Sequence, residues 1–161
     1  MNRSRLILFV EFSRTFPWAY LKLFNTLEEF SCTDSGLTAL EEDIPWSSTV
    51  QKLFFQRNYD ITTVNSNAFK TATSLKQLDM WGMGAEVAIK GDAFRITSRT
   101  GSILQYYGSE CPSEIASNAF GNVEGGPLWG SISVDWCDFP ELTFRLMLKS
   151  AFDKGYQGKS I

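Results

Sequence analysis

Few residues in this chain of 161 are suited to covalent or acid–base chemistry. It has no histidine, which removes the commonest general base, the usual zinc ligand and the ordinary pH switch together. A nucleophile would then need a Ser-Lys or carboxylate arrangement, and no motif of that kind occurs. Glu41, Glu42 and Asp43 form an acidic run without EF-hand spacing, and read as a solvated turn. Cysteines stand at Cys32, Cys111 and Cys137, in neither CxxC nor zinc-ribbon spacing. They are either buried small hydrophobes or, for Cys111 and Cys137, a disulfide. These residues argue against an enzyme, and they suggest no cofactor and no metal site.

Composition narrows the remaining classes. Fifteen Lys+Arg against eighteen Asp+Glu give a net charge of −3 and a pI near 5.0, unlike a nucleic-acid binder that rests on bulk charge. Hydrophobic and charged contents of 43% and 20% are globular values. No stretch approaches the roughly 18 apolar residues of a membrane span. Arg3 and Arg5 precede an apolar run at residues 6–10 that Glu11 and Arg14 soon interrupt, a poor match to a secretory signal.

The chain is organised by a repeat. Ala-Phe recurs at Ala68-Phe69, Ala93-Phe94, Ala119-Phe120 and Ala151-Phe152, each time after a small or polar residue: Asn67, Asp92, Asn118 and Ser150. Val64, Ile89 and Ile115 stand four residues before the first three pairs. A second pattern, LxxLxLxxN, runs through Val50-Leu53-Phe55-Asn58, Leu75-Leu78-Met80-Met83 and Trp129-Ile132-Val134-Cys137. Leu27-Phe30-Cys32-Ser35 is an earlier copy and Gly101-Leu104-Tyr106-Ser109 a degraded one. The Asn slots fall at 35, 58, 83, 109 and 137, in steps of 23, 25, 26 and 28. Such steps suit stacked coils, each too small to bury its apolar side alone.

Over about residues 27–152 the chain resembles the leucine-rich repeat family, extracellular type. Cys32 to Leu40 followed by Ile44-Pro45 looks like the tail of an N-terminal cap, although the family's other cap cysteines are missing. The order of features is also similar to that of secreted arthropod repeat proteins, including non-catalytic subunits of secreted enzymes. The resemblance implies an α/β solenoid with a curved parallel β-sheet and one short strand per coil. It also implies an extracellular or secreted setting; a cytoplasmic adaptor with reduced thiols is the alternative. Residues 1–26 form an N-terminal segment, read as a cap or a partial signal. A solenoid of about five coils spans 27–152, and 153–161 is a frayed tail. Residues 121–128 read as a loop.

Period-two alternation then sorts the side chains. Leu53 and Phe55 point inward, as do their counterparts in other coils, while the residues between them face outward. The outward set gives a candidate partner-binding face: Lys52, Phe54, Gln56, Arg57, Lys76, Asp79, Trp81, Tyr107, Asp135 and Trp136. Several aromatics on one sheet face suit protein contact. The expected function is non-enzymatic protein–protein binding through this concave face, with no nucleic acid and no membrane span. A non-catalytic subunit or fragment of a larger secreted assembly is the alternative. Asn58 can satisfy backbone groups where the chain leaves the strand, whereas Met83 cannot, so a looser turn is expected there, eased by Gly82 and Gly84. Cys137 occupies an Asn slot and Cys111 follows the preceding one, which places the two within disulfide range on adjacent coils.

Overall fold

The structure, a computed structural model, describes residues 4–8, 15–84, 86–97, 102–108, 112–116, 118–119 and 129–135. Its long strands are β1 (Ser4–Leu8), β2 (Leu27–Thr33), β4 (Lys52–Gln56), β6 (Gln77–Met83), β8 (Ser102–Gly108) and β10 (Trp129–Asp135). Between them lie four two-residue strands, β3 (Ala39–Leu40), β5 (Thr63–Val64), β7 (Ala88–Ile89) and β9 (Glu114–Ile115). The long strands form one sheet in the order β1-β2-β4-β6-β8-β10, and the short ones a second in the order β3-β5-β7-β9. All pairings are parallel. The chain is a parallel β-solenoid of about four turns.

The alternating apolar positions of the repeat line up in backbone register. Leu6, Phe30, Leu53, Leu78, Leu104 and Ile132 are successive register partners across the long sheet. Leu8, Cys32, Phe55, Met80, Tyr106 and Val134 form the second column. Phe30, Leu53, Leu78, Cys32, Phe55 and Met80 are fully buried. Each such Leu or Phe contributes about 1.5–3 kcal/mol, but only while the adjoining coil supplies the other half of its surroundings. Phe69 and Phe94 stack with ring centroids 6.2 Å apart and planes 4° from parallel, at the spacing set by the Ala-Phe pairs. Phe120 and Phe152, expected to continue that column, lie outside the described residues. Toward the N-terminal end Phe16, Trp18, Phe30, Trp46 and Phe55 close the core edge-on, and the Trp46 indole donates to the Ala68 carbonyl at 2.7 Å.

Two expectations about the coil need correction. No α-helix occurs among the described residues; the one helical segment is the 3-10 turn Trp18–Leu23. The return segments are instead chains of tight turns, with bonds from Lys70 to Asn67, Ala72 to Phe69 and Arg95 to Asp92. Asn67 and Asp92 sit at φ +56 and +58, in the left-handed region, which an α-helix cannot pass through. This accounts for the polar residue before Ala68-Phe69 and before Ala93-Phe94, since Asn and Asp tolerate that conformation best. Each coil also carries a second, two-residue strand rather than one strand alone. It is anchored by the aliphatic residue four before the Ala: Val64 and Ile89 are buried, and Ile115 packs against the core.

Near the ends of β2, β4 and β6 the chain takes a second left-handed position. Asp34, Arg57 and Gly82 have φ of 49, 53 and 68 and follow the register partners Thr33, Gln56 and Trp81. The Asp34 and Arg57 amides donate across to the Gln56 and Trp81 carbonyls, and Arg57 pairs with Asp34. Just beyond, the buried Asn58 amide donates to the Cys32 carbonyl at 2.9 Å, and its oxygen accepts from the Ser35 amide at 3.1 Å and hydroxyl at 2.5 Å. Met83, in the corresponding slot, is fully buried and fills space instead. The turn there is not loose. A Cβ at Gly84 would overlap the Tyr59 carbonyl oxygen, so glycine lets the two turns close on each other.

Asn58→Ala leaves the Ser35 amide and the Cys32 carbonyl buried without partners, and should lower folding stability by about 3 kcal/mol. Urea denaturation of the two chains measures this; a loss under about 1 kcal/mol would mean that Asn58 does not hold the turn.

Candidate functional site

Parallel register also fixes the outward side chains, because a strand shifted by one residue would turn its core face outward. Three columns result. The first runs Arg5, Glu29, Lys52, Gln77, Ile103. The second runs Ile7, Ser31, Phe54, Asp79, Gln105 and the third Gln56, Trp81, with Ser133, Tyr107 and Asp135 as backbone register partners on the following strands. Lys52, Phe54, Gln56, Asp79 and Trp81 thus share one face of adjoining strands, with Tyr107 and Asp135 in register beside them. Arg57 stands just past β4, exposed and paired with Asp34. Lys76 precedes β6 and lies at the rim, its ammonium 2.9 Å from the Gln51 side-chain oxygen. Trp136, Cys111 and Cys137 lie outside the described residues.

The face divides into two chemistries. At the β1–β4 end charges meet: Arg5 donates to Glu29 through two nitrogens, and a shallow groove is lined by Arg5, Glu28, Glu29, Gln51 and Lys52. Over β6 and β8 the surface is neutral and partly apolar. Trp81 is 48% exposed and Ile103 42%. Gln77 donates to Gln105 at 3.4 Å. Asp79 is the one charged side chain among the described outward positions of these two strands. Its Oδ1 is buried and accepts no hydrogen bond. Burial accordingly pushes its carboxyl above the ordinary value of 3.8, because the anion has lost water and gained no donor.

Arg5, Ile7 and Ile103 belong to the same face but are absent from the sequence-derived set. Ile103 was accessible to the alternation rule, since Ser102 and Leu104 flank it and both are buried. Arg5 and Ile7 were not, because β1 carries no Asn slot and no repeat copy.

Other candidate residues have structural roles. Glu41, Glu42 and Asp43 are exposed, with Asp43 in a left-handed turn and 4.0 Å from Lys70. Cys32 is a free thiol in the inward column, raised above its ordinary 9.0 by burial and partly opposed by a hydrogen bond with Ser35. Among the described residues no three His, Cys, Asp or Glu side chains converge on a metal-sized site. No helix among them is long and apolar enough to cross a membrane. The chain matches no protein-family model, no curated protein and no solved structure.

Two measurements bear on this chemistry. The folded chain holds the Asp79 proton to higher pH than the unfolded chain does. Stability from this group therefore falls as pH rises from about 3.8 through the raised folded value, then levels off. Asp79→Asn should lack this decline, so urea midpoints of the variant should overtake the wild type progressively over that interval; parallel curves would refute it. Cys32, buried and held protonated, should resist iodoacetamide in the folded chain at neutral pH and react in urea. Peptide mapping by mass spectrometry reads this directly, and ready native labelling at Cys32 would contradict its burial.

Proposed function

We propose that this chain is a non-enzymatic protein of the leucine-rich repeat type that binds a protein partner through the outward face of its long sheet. The observation that carries the reading is Trp81, nearly half exposed on a central strand of the parallel sheet, with exposed Ile103 on the next strand. Tryptophan on a surface gains most when a partner removes it from water, and it is over-represented among residues that dominate binding energy. The sheet spends no conformational entropy in presenting it, since every outward position is set by two neighbouring strands.

Two features support the repeat type. The xxLxL segments form stacked rungs, and Asn58 bonds the backbone of the coil before it. The compact turns on the far side depart from helix-bearing repeats and suit coils of 23–26 residues. The extracellular setting rests on the family resemblance alone.

The immobilised full chain, its Trp81→Ala variant and a Lys22→Ala control outside the sheet would each be used to capture partners from the native source. A protein retained by wild type and control and weakened about 30-fold or more by Trp81→Ala, with unchanged circular dichroism, is the expected outcome. Equal retention by all three would overturn the reading.

A further inference from the structure

Asp79 is costly where it stands. Its register partners on either side are Phe54 and Gln105, and the next outward residues along β6 are Gln77 and Trp81. Nothing in that ring carries a charge. Ser31 and Ser133 hold the same column position elsewhere, so the sheet does not demand a carboxylate there. One carboxylate oxygen is covered and accepts no bond, although a small neutral side chain would avoid the cost. Nor do the described residues compensate the charge. Lys52 is the nearest cation in the register, one strand away and two residues before Phe54, and no ion pair joins it to Asp79. Gln77 directs its amide to Gln105. Elsewhere the exposed carboxylates Asp34 and Glu114 do have cations, Arg57 and Lys90. Asp79 is different: a half-covered carboxyl without a cation, in register with Phe54 and two residues from the half-exposed Trp81.

Resting on the reading that this face binds a protein, we propose that it receives an arginine side chain of the partner, seated on the Asp79 carboxylate beside the rings of Phe54 and Trp81. The three groups match a guanidinium one by one. The carboxylate offers the guanidinium a charge-assisted acceptor at its other oxygen, beside the covered Oδ1. The aromatic faces attract the flat, weakly hydrated cation, whose stem covers apolar surface such as Ile103. An ammonium fits less well, because it is more strongly hydrated and cannot stack. An acidic ligand is excluded at this position by Asp79 itself. The bound cation also removes the penalty that the unbound face carries, so part of the binding free energy comes from relieving a desolvated anion rather than from new contact area.

The test is a nitrogen-15 NMR titration of the full chain with the tripeptide Gly-Arg-Gly, blocked at both ends, and with its citrulline and lysine counterparts. Citrulline keeps the shape and loses the charge. With the arginine peptide, saturable shifts are expected at the Phe54, Asp79 and Trp81 amides and the Trp81 indole, with affinity about tenfold or more above that of the citrulline peptide. Asp79→Asn, which is expected to fold normally, should erase that difference, and Trp81→Ala should weaken binding of the arginine peptide. Equal binding of the arginine and citrulline peptides, an unchanged difference in Asp79→Asn, or no shift up to the solubility limit would each overturn the proposal. Lysine binding as tightly as arginine would overturn the guanidinium assignment. If these fail while Trp81→Ala still loses the captured partner, the binding face stands without the arginine seat.

Discussion

Everything in this molecule depends on register between neighbouring coils. An inward Leu53 has Phe30 on one side and Leu78 on the other, and neither its own coil nor its own strand could bury it. The hydrophobic contribution is therefore shared pairwise along the stack, as in other solenoids. The same constraint governs the outward columns, because one backbone fixes both faces. A face presented this way is rigid by construction, and its chemistry is written by single residues at columnar positions rather than by loops.

The ends of the strands show how the chain bends while most of that register is kept, with one shift between Trp81 and Met83. Left-handed residues recur at two places per coil, Asp34, Arg57 and Gly82 at one corner and Asn67 and Asp92 at another. Both corners also pass amide bonds to the next coil, as from Arg57 to the Trp81 carbonyl and from Asn67 to the Asp92 carbonyl. The conformational cost of a left-handed non-glycine residue, about 1–2 kcal/mol, is offset by these bonds and by closing the coil. Where the Asn slot is lost to Met83, close packing of Gly84 on Tyr59 takes its place, so polar and apolar solutions to one turn coexist in adjoining coils.

The inward columns were legible in the sequence because aliphatics at every second position build the buried side of a strand and little else, and Leu53, Leu78, Leu104 and Ile132 fall on adjoining rungs as their spacing requires. The Asn58 bonds were legible for the same reason: one residue type in one slot has one geometric use. The second sheet was not, since Thr63-Val64 or Ala88-Ile89 is too short to show any period. The absence of an α-helix in the described returns was hidden as well. Ser-Asn-Ala-Phe-Lys reads equally as a helix start or a turn, and only the backbone angle at Asn67 decides between them. On the outward face, Phe54, Asp79 and Trp81 could be placed by alternation. That Asp79 lacks a partner could not, because it depends on where every neighbouring amide and ammonium is directed.

One further feature concerns direction. Apart from Ser35, the hydroxyls that bridge coils donate backward: Thr49 to the Leu27 carbonyl, Thr71 to Ile44, Thr97 to Lys70, Ser102 to Leu75 and Ser113 to Val87. The acceptors always belong to the winding made first. A ribosome delivers the chain in that same order, so each newly released winding meets carbonyls its predecessor has already fixed in place. The hydroxyls can thus tie each new winding to one already made, whereas the Arg57 and Asn67 amides are satisfied only when the following winding arrives.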